Sequence, residues 1–320
     1  MTTTVGFVGA GGIAAVHLDT LDQYDDATLV AVADIDGERA RAVADPRGAT
    51  AYTDGHELIA AESESLDALV VAIPPFAHEG YERKAADAGI DLFVEKPVGL
   101  DSEVVAATRR QLESSGVVTQ VGYVCRYAQI TDRARELLDG RQVGHVDSEY
   151  WVSVPDTSWW SSRAHSGGQL VEQSTHVFDV HRYLLGEVET VRGDGTDGLL
   201  ADGLDFQDAT STTLSHESGA VSHISSTCAS PESRFQVRVV AEDAFLELDY
   251  FEHSLSGVVD GERVTFQGDG SWYQREFEAF LAAVRGRGDD VRSDYADAAR
   301  TFEVTLAARE AAETGDCIDL

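Results

Sequence analysis

Short apolar runs, glycine-bearing turns and stretches of helical spacing follow one another through the first third of the chain. Val5-Gly-Phe-Val8 is apolar and leads at once into Gly9-Ala-Gly-Gly-Ile-Ala14 and then into Ala15–Leu21, whose pattern is helical. A second apolar run, Leu29-Val-Ala-Val-Ala33, ends in Asp34. Glu57–Glu62 reads as a short helix, and Leu69–Ile73 as a buried strand closed by Pro74-Pro75. Ala77–Ala88 reads as a helix capped by Gly89, and Asp91–Val94 as a strand ending in Glu95-Lys96-Pro97. Helix Ser102–Ser114 and strand Val117–Val121 complete the series. Strands alternating with helices predict an α/β fold with a parallel, doubly wound sheet. Ligands of such sheets bind at the carboxyl ends of the strands, where Asp34, Pro74 and Lys96 stand.

The rhythm then changes. After a helix at Thr131–Leu138 come strand-like runs at Val146–Val154, Thr210–Leu214, Val221–Thr227, Phe235–Val240 and Phe245–Tyr250. Turns such as Ser218-Gly219 and Asp260-Gly261 separate them. Leu170–Leu185, Tyr273–Arg285 and Tyr295–Thr314 are predicted helices, and no internal repeat is visible.

The first turn carries chemistry. Gly9, Gly11 and Ala14 fit the G-x-G-x-x-G/A fingerprint of dinucleotide binding. The first glycine permits a tight turn, the second lets a pyrophosphate approach the backbone, and the small third residue lets helix and strand pack closely. Asp34 stands where an acidic side chain accepts hydrogen bonds from ribose hydroxyls. With Asp34, Ile35 and Asp36 in series, a 2′-phosphate would be repelled, so NAD is expected over NADP; Arg39 is the nearest arginine. The division expected is a dinucleotide-binding Rossmann domain over 1–122 and a second, strand-rich α+β domain over 123–320.

Composition narrows the partners. The 320 residues carry 57 Asp+Glu against 24 Lys+Arg, a net charge of -33. Nucleic acid and anionic membrane would both repel such a surface. No apolar run approaches the roughly 20 residues of a membrane span, and the start shows no basic-then-apolar secretory pattern. Cys125, Cys228 and Cys317 are three and widely spaced, matching neither a disulfide framework nor a metal site, so a reducing cytoplasm is expected. Only Lys84 and Lys96 are lysine. Excess carboxylate with little lysine is expected of a protein kept soluble in concentrated salt, where the Debye length falls to about 3 Å.

These residues resemble the glucose-fructose oxidoreductase / inositol dehydrogenase / rhizopine-catabolism (Gfo/Idh/MocA) family of NAD(P)-dependent sugar and polyol dehydrogenases. The matches are Val8–Ile13 with His17, the Asp34 strand end, Tyr52-Thr-Asp54, Ala72-Ile-Pro-Pro75 with His78, and Val94-Glu-Lys-Pro97. Gly122-Tyr123, Arg126-Tyr127, Ser166-Gly-Gly168, and Glu172-Gln-Ser-Thr-His176 with Asp179 continue them through the second half. The resemblance implies NAD binding by Gly9, Gly11, Gly12, Ile13, Ala14, Asp34, Ile35, Pro74, Pro75, Glu95 and Lys96. It implies catalysis by Lys96, His176 and Glu172, a Pro97 that is often cis, and a homo-oligomer, dimer or tetramer. It also implies that the domain over 123–320 is a substrate-binding and oligomerisation domain with a large, mainly antiparallel open sheet.

Removing an O–H proton while a hydride leaves the same carbon requires a base and a partner for the developing alkoxide. In the family the His is the proton acceptor, and Lys96 reaches the reacting hydroxyl. Glu172 and His176 are spaced i, i+4 on one predicted helix. The family usually has Asp where this chain has Glu172, so Glu172 is expected to bind a substrate hydroxyl, orient His176 or form another relay. Tyr123, Arg126, Trp159 and Arg163 join Lys96, Glu172 and His176 as the substrate-contacting set, and no metal is implied. The leading expectation is hydride transfer between a CH–OH of a sugar, polyol or cyclitol and NAD. Transient redox (an epimerase, hydrolase or internal oxidoreduction) and a catalytically silent NAD-bound sensor are the alternatives.

Overall fold

The computed structural model describes residues 2–320. The chain forms two compact units. The first comprises residues up to Tyr123 together with Tyr273–Ala299; the second comprises Val124–Trp272 with Arg300–Leu320.

The first unit alternates strand and helix: β1 Thr3–Val8, α1 Gly12–Leu21, β2 Ala27–Ala33, α2 Gly37–Ala44, β3 Thr50–Tyr52, α3 Gly55–Glu62, β4 Ala68–Val71, α4 Tyr81–Asp87, β5 Asp91–Val94, α5 Ser102–Ser115 and β6 Thr119–Val121. The strands lie in the order β3-β2-β1-β4-β5-β6, every pair parallel. This is the doubly wound order of dinucleotide-binding sheets. Strands buried on both faces need continuous apolar sequence, and β4 and β5 supply it. Val5, Phe7, Val70 and Phe93 form one core with Ala14 and Leu18 of α1 and with Phe277 and Phe280 from the returning segment. Aspartates start three of the helices. Asp36, Asp54 and Asp101 each accept a backbone N–H from the first turn of α2, α3 and α5, satisfying donors that a helix cannot satisfy itself.

Three expectations need correction here. The division at 122/123 into two contiguous domains does not hold, because Tyr273–Ala299 returns to the first unit, where Phe277 and Phe280 complete its core. The predicted helix Ala77–Ala88 begins only at Tyr81, because Gly80 at φ 86° breaks the chain after a 3-10 turn at Pro75–Ala77. α2 and β3 were not anticipated, since both are short and largely polar or exposed.

The second unit holds α6 Gln129–Leu138, β7 Val143–Trp151, α7 Arg163–Ser166, α8 Gln169–Glu172, α9 Thr175–Leu185, β8 Val188–Thr196, β9 Ala209–His216, β10 Val221–Thr227, β11 Arg234–Ala241, β12 Ala244–Asp249, β13 Ser254–Val259 and β14 Glu262–Gln267. After α10 Trp272–Val284 and α11 Tyr295–Thr314 comes β15 Ile318–Asp319. Its sheet runs β14-β13-β12-β11-β7-β10-β9-β8-β15. Only β7 and β10 pair in parallel; the other neighbours are antiparallel. Alternation of buried and half-exposed residues along β9, β10 and β11 leaves one face covered and one open. α6 packs on β12 and β13, and α9 on β7 and β10. Among the described residues no helix is long and apolar enough to cross a membrane.

Candidate active site

In the first unit, β1 delivers the chain into the glycine turn. Gly9 has φ 103°, and a Cβ there would lie 2.2 Å from the Ala72 carbonyl oxygen, so the position admits only glycine. At Gly11 and Gly12 an added Cβ would meet nothing within 4 Å. That open space lies at the start of α1, whose cap residue Gly11 supplies no side-chain hydrogen bond. The first-turn N–H groups are therefore available to an anion. Ala14 is fully buried against the sheet, with Ile13 packed beside it.

At the end of β2, the Asp34 carboxylate is fixed on both oxygens. Oδ2 accepts the Ala10 N–H at 2.9 Å, and Oδ1 accepts the Asp36 N–H at 2.9 Å. Arg39 donates to the same carboxylate at 3.3 and 3.4 Å. Asp36 itself is used as the cap of α2, and the Arg39 and Glu38 N–H groups hold its carboxyl below the usual range. Ile35 is 95% exposed, an apolar side chain left in water beside the Asp34 carboxylate. Pro74 and Pro75 follow β4 and open the 3-10 turn. A glycine cradle that no side chain fills and a pinned carboxylate at the neighbouring strand end fit a dinucleotide.

Lys96 follows β5 and is half-buried, and the Lys96-Pro97 peptide is cis, as the resemblance implies. Glu95, expected among the cofactor contacts, is 5% exposed and hydrogen-bonded to His17. His78 pairs with buried Glu82 at 2.5 Å. Tyr123 closes this unit and is fully buried.

In the second unit, Gly167 and Gly168 turn the chain at φ 80° and 87°, and Arg309 donates to the Gly167 carbonyl at 3.2 Å. The expected helix Leu170–Leu185 is interrupted. Ser174 N–H reaches back five residues to Gln169 O at 2.9 Å, and Val177 N–H restarts the helix from Ser174 O at 2.9 Å. Glu172 therefore ends α8 while His176 lies in the first turn of α9, rather than both sharing one continuous helix. The cause is local: serine and threonine are better helix starters than helix interiors.

Both residues are half-buried. Trp160 Nε1 donates to Glu172 Oε2 at 2.6 Å. Trp160 is itself buried, edge-on to Phe206 at 5.2 Å, in a small core with Cys228 against which Trp159 packs. The sequence reading missed Tyr150, a buried residue of β7 whose hydroxyl is pushed up by burial and by the Glu172 charge. Its signal was an aromatic with a polar tip on the inward face of a strand. Arg126 is 4% exposed, gripped by Asp179 at 2.8 and 2.6 Å and lying over the Tyr183 ring. Thr301 joins Asp179 to Arg182. Arg163 pairs with Glu313 at 2.6 Å, and its N–H meets Asp205.

Comparison with known proteins fits this arrangement. Residues 3–123 match the GFO/IDH/MocA oxidoreductase family, NAD-binding Rossmann fold, and residues 131–247 match the GFO/IDH/MocA C-terminal domain. The chain is 30% identical to a D-xylose 1-dehydrogenase (NADP(+)) of Haloferax volcanii, covering 98% of this chain and 99% of that protein. It is 25% identical to a scyllo-inositol 2-dehydrogenase (NAD(+)) of Bacillus subtilis, covering 98% and 95%. A levoglucosan dehydrogenase solved with NADH superposes with a TM-score of 0.90 at 19% identity, covering 100% of this chain and 99% of that one, a likeness of fold. The chain belongs to the GFO/IDH/MocA family of oxidoreductases.

Proposed function

We propose that this protein is an NAD-dependent oxidoreductase that moves a hydride between a CH–OH of a sugar, polyol or cyclitol and nicotinamide. The observation that carries this reading is the glycine cradle after β1 beside a pinned Asp34 after the adjacent β2, in one parallel sheet with Lys96 at the carboxyl end of β5. The names of the relatives, a xylose and an inositol dehydrogenase, support the substrate class. The relatives differ in cofactor; Asp34 supports NAD here, because a carboxylate receives ribose hydroxyls and repels a 2′-phosphate.

When bound, the nicotinamide supplies the hydride acceptor. Gly9, Gly11, Gly12, Ile13 and Ala14 would seat its pyrophosphate, with Asp34, Ile35 and Pro74-Pro75 beside the rest. Lys96 places positive charge on the reacting oxygen, and His176 takes the hydroxyl proton as the carbonyl forms. Glu172, held by Trp160, contacts a substrate hydroxyl or orients His176.

Cofactor binding is assigned to the first unit, and substrate binding and self-association to the second, Val124–Trp272 with Arg300–Leu320, where the open face of the large sheet supports an oligomer. Excess carboxylate supports function in high salt, and the absence of a disulfide among the three cysteines supports a cytoplasmic setting. The test is a panel of aldoses, polyols and inositols with NAD in molar KCl, read as NADH absorbance. Turnover on one member supports the reading; binding of NAD with no turnover supports a silent sensor.

A further inference from the structure

We propose that His17 and Glu95 form a buried clamp that aims Lys96, making both of them positioning residues; this rests on the catalytic reading of Lys96 given above. Glu95 is 5% exposed and His17 is 0% exposed. A carboxylate so deeply buried is costly unless paired and hydrogen-bonded. His17 Nε2 donates to Glu95 Oε1 at 2.6 Å, and the Lys96 N–H donates to Glu95 Oε2 at 3.2 Å. One carboxylate thus ties α1 to the backbone of the residue proposed to act on the substrate.

The surroundings fix both partners. The His17 ring lies edge-on to Phe93 at 4.7 Å and stacks on Phe277 at 5.6 Å. Tyr273 meets it edge-on at 6.1 Å. On the other side, a Cβ at Gly122 would fall 2.8 Å from Glu95 Oε2, so the end of β6 leaves room for the carboxylate only as glycine. Apolar packing alone would favour an aliphatic residue in place of Glu95. A His–Glu pair walled by aromatics, with one oxygen on the Lys96 N–H, instead sets where the Lys96 side chain leaves the strand. Because α1 begins at the glycine turn, the same helix that would seat the pyrophosphate also registers Lys96.

Lysine labelling tests this without a known substrate. Lys84 and Lys96 are the chain's two lysines, so each reports in its own peptide after brief acetic anhydride treatment at fixed pH. In Glu95→Gln and His17→Gln, the Lys96:Lys84 labelling ratio is expected to change by about threefold or more, as one of roughly three staggered side-chain wells ceases to be enforced. Gly122→Ala, which leaves both clamp residues in place and displaces the carboxylate, should do the same if either of the other variants fails to fold. An unchanged ratio in folded variants overturns the clamp. Lys96→Met separates the two ideas. Near-normal turnover in Lys96→Met would defeat the catalytic reading of Lys96 whatever the labelling shows. Loss of turnover there, with no labelling change in the clamp variants, would defeat the clamp alone.

Discussion

Arg39 lays its guanidinium 3.3 Å from Oδ1 of Asp34, the carboxylate proposed to receive the ribose. On the proposed assignment Asp34 repels a 2′-phosphate, and Arg39, 51% exposed on its side chain, weakens that repulsion. Asp34→Ala is expected to narrow the preference for NAD over NADP by about tenfold or more, since it removes both the charged hydrogen bonds and the repulsion. Arg39→Ala should widen it. Dissociation constants of the two cofactors, from fluorescence titration, check both; NADP binding as tightly as NAD in the unmodified protein would contradict the assignment.

Salt dependence follows from the charge. At -33, carboxylates repel one another across a Debye length of about 30 Å at 0.01 M salt and about 3 Å at 1 M. The melting temperature should rise as KCl goes from millimolar to molar. A flat or falling curve would refute salt adaptation.

His181 makes the second unit acid-sensitive. It is fully buried against Ser148, and desolvation, with charge from His216, His223 and His145, pushes its pKa down to about 3. The unfolded chain takes up this proton near pH 6.5 and the folded chain near 3. No penalty exists above about pH 6.5, and stability falls progressively as pH drops below it. At pH 5 the cost is about 2 kcal/mol. Unfolding in urea at pH 7 and pH 5, with and without His181→Gln, measures it; the variant should flatten the dependence by roughly that amount.

The parts of this site legible in sequence were those fixed by short-range backbone demands. Gly9 can only be glycine because Ala72 O crowds it, and Asp34 follows β2 in the register that the fold imposes. The relation of Glu172 to His176 was misread because a helical spacing over Leu170–Leu185 hides the break at Ser174, which depends on which N–H bonds to Gln169 O. The partners of Glu95, Arg126 and Glu172 were invisible. His17, Asp179 and Trp160 lie 78, 53 and 12 residues away in sequence. β8, β13 and β14 have few buried positions, so the apolar alternation that marks a strand is weak along them.

Trp160 is expected to act through Glu172. Trp160→Phe keeps an aromatic against Phe206 and removes the N–H donor, leaving a half-buried carboxylate short of one hydrogen bond. If Glu172 contacts substrate, KM should rise by about tenfold, the scale of one hydrogen bond to a charged group, with NAD affinity unchanged. If Glu172 orients His176, the pH profile of kcat should move instead, and Glu172→Gln should reproduce it. Unaltered kinetics in both variants would remove Glu172 from the site.

The most direct measurement is the stoichiometry of NADH formed per sugar or polyol consumed, followed at 340 nm across the substrate panel in molar KCl, for the unmodified protein and for His176→Ala. The account predicts one NADH per substrate oxidised. It also predicts a loss of about 10²–10⁴-fold in kcat when the base is removed. Substrate conversion with no net NADH, or near-normal rates in His176→Ala, would contradict it.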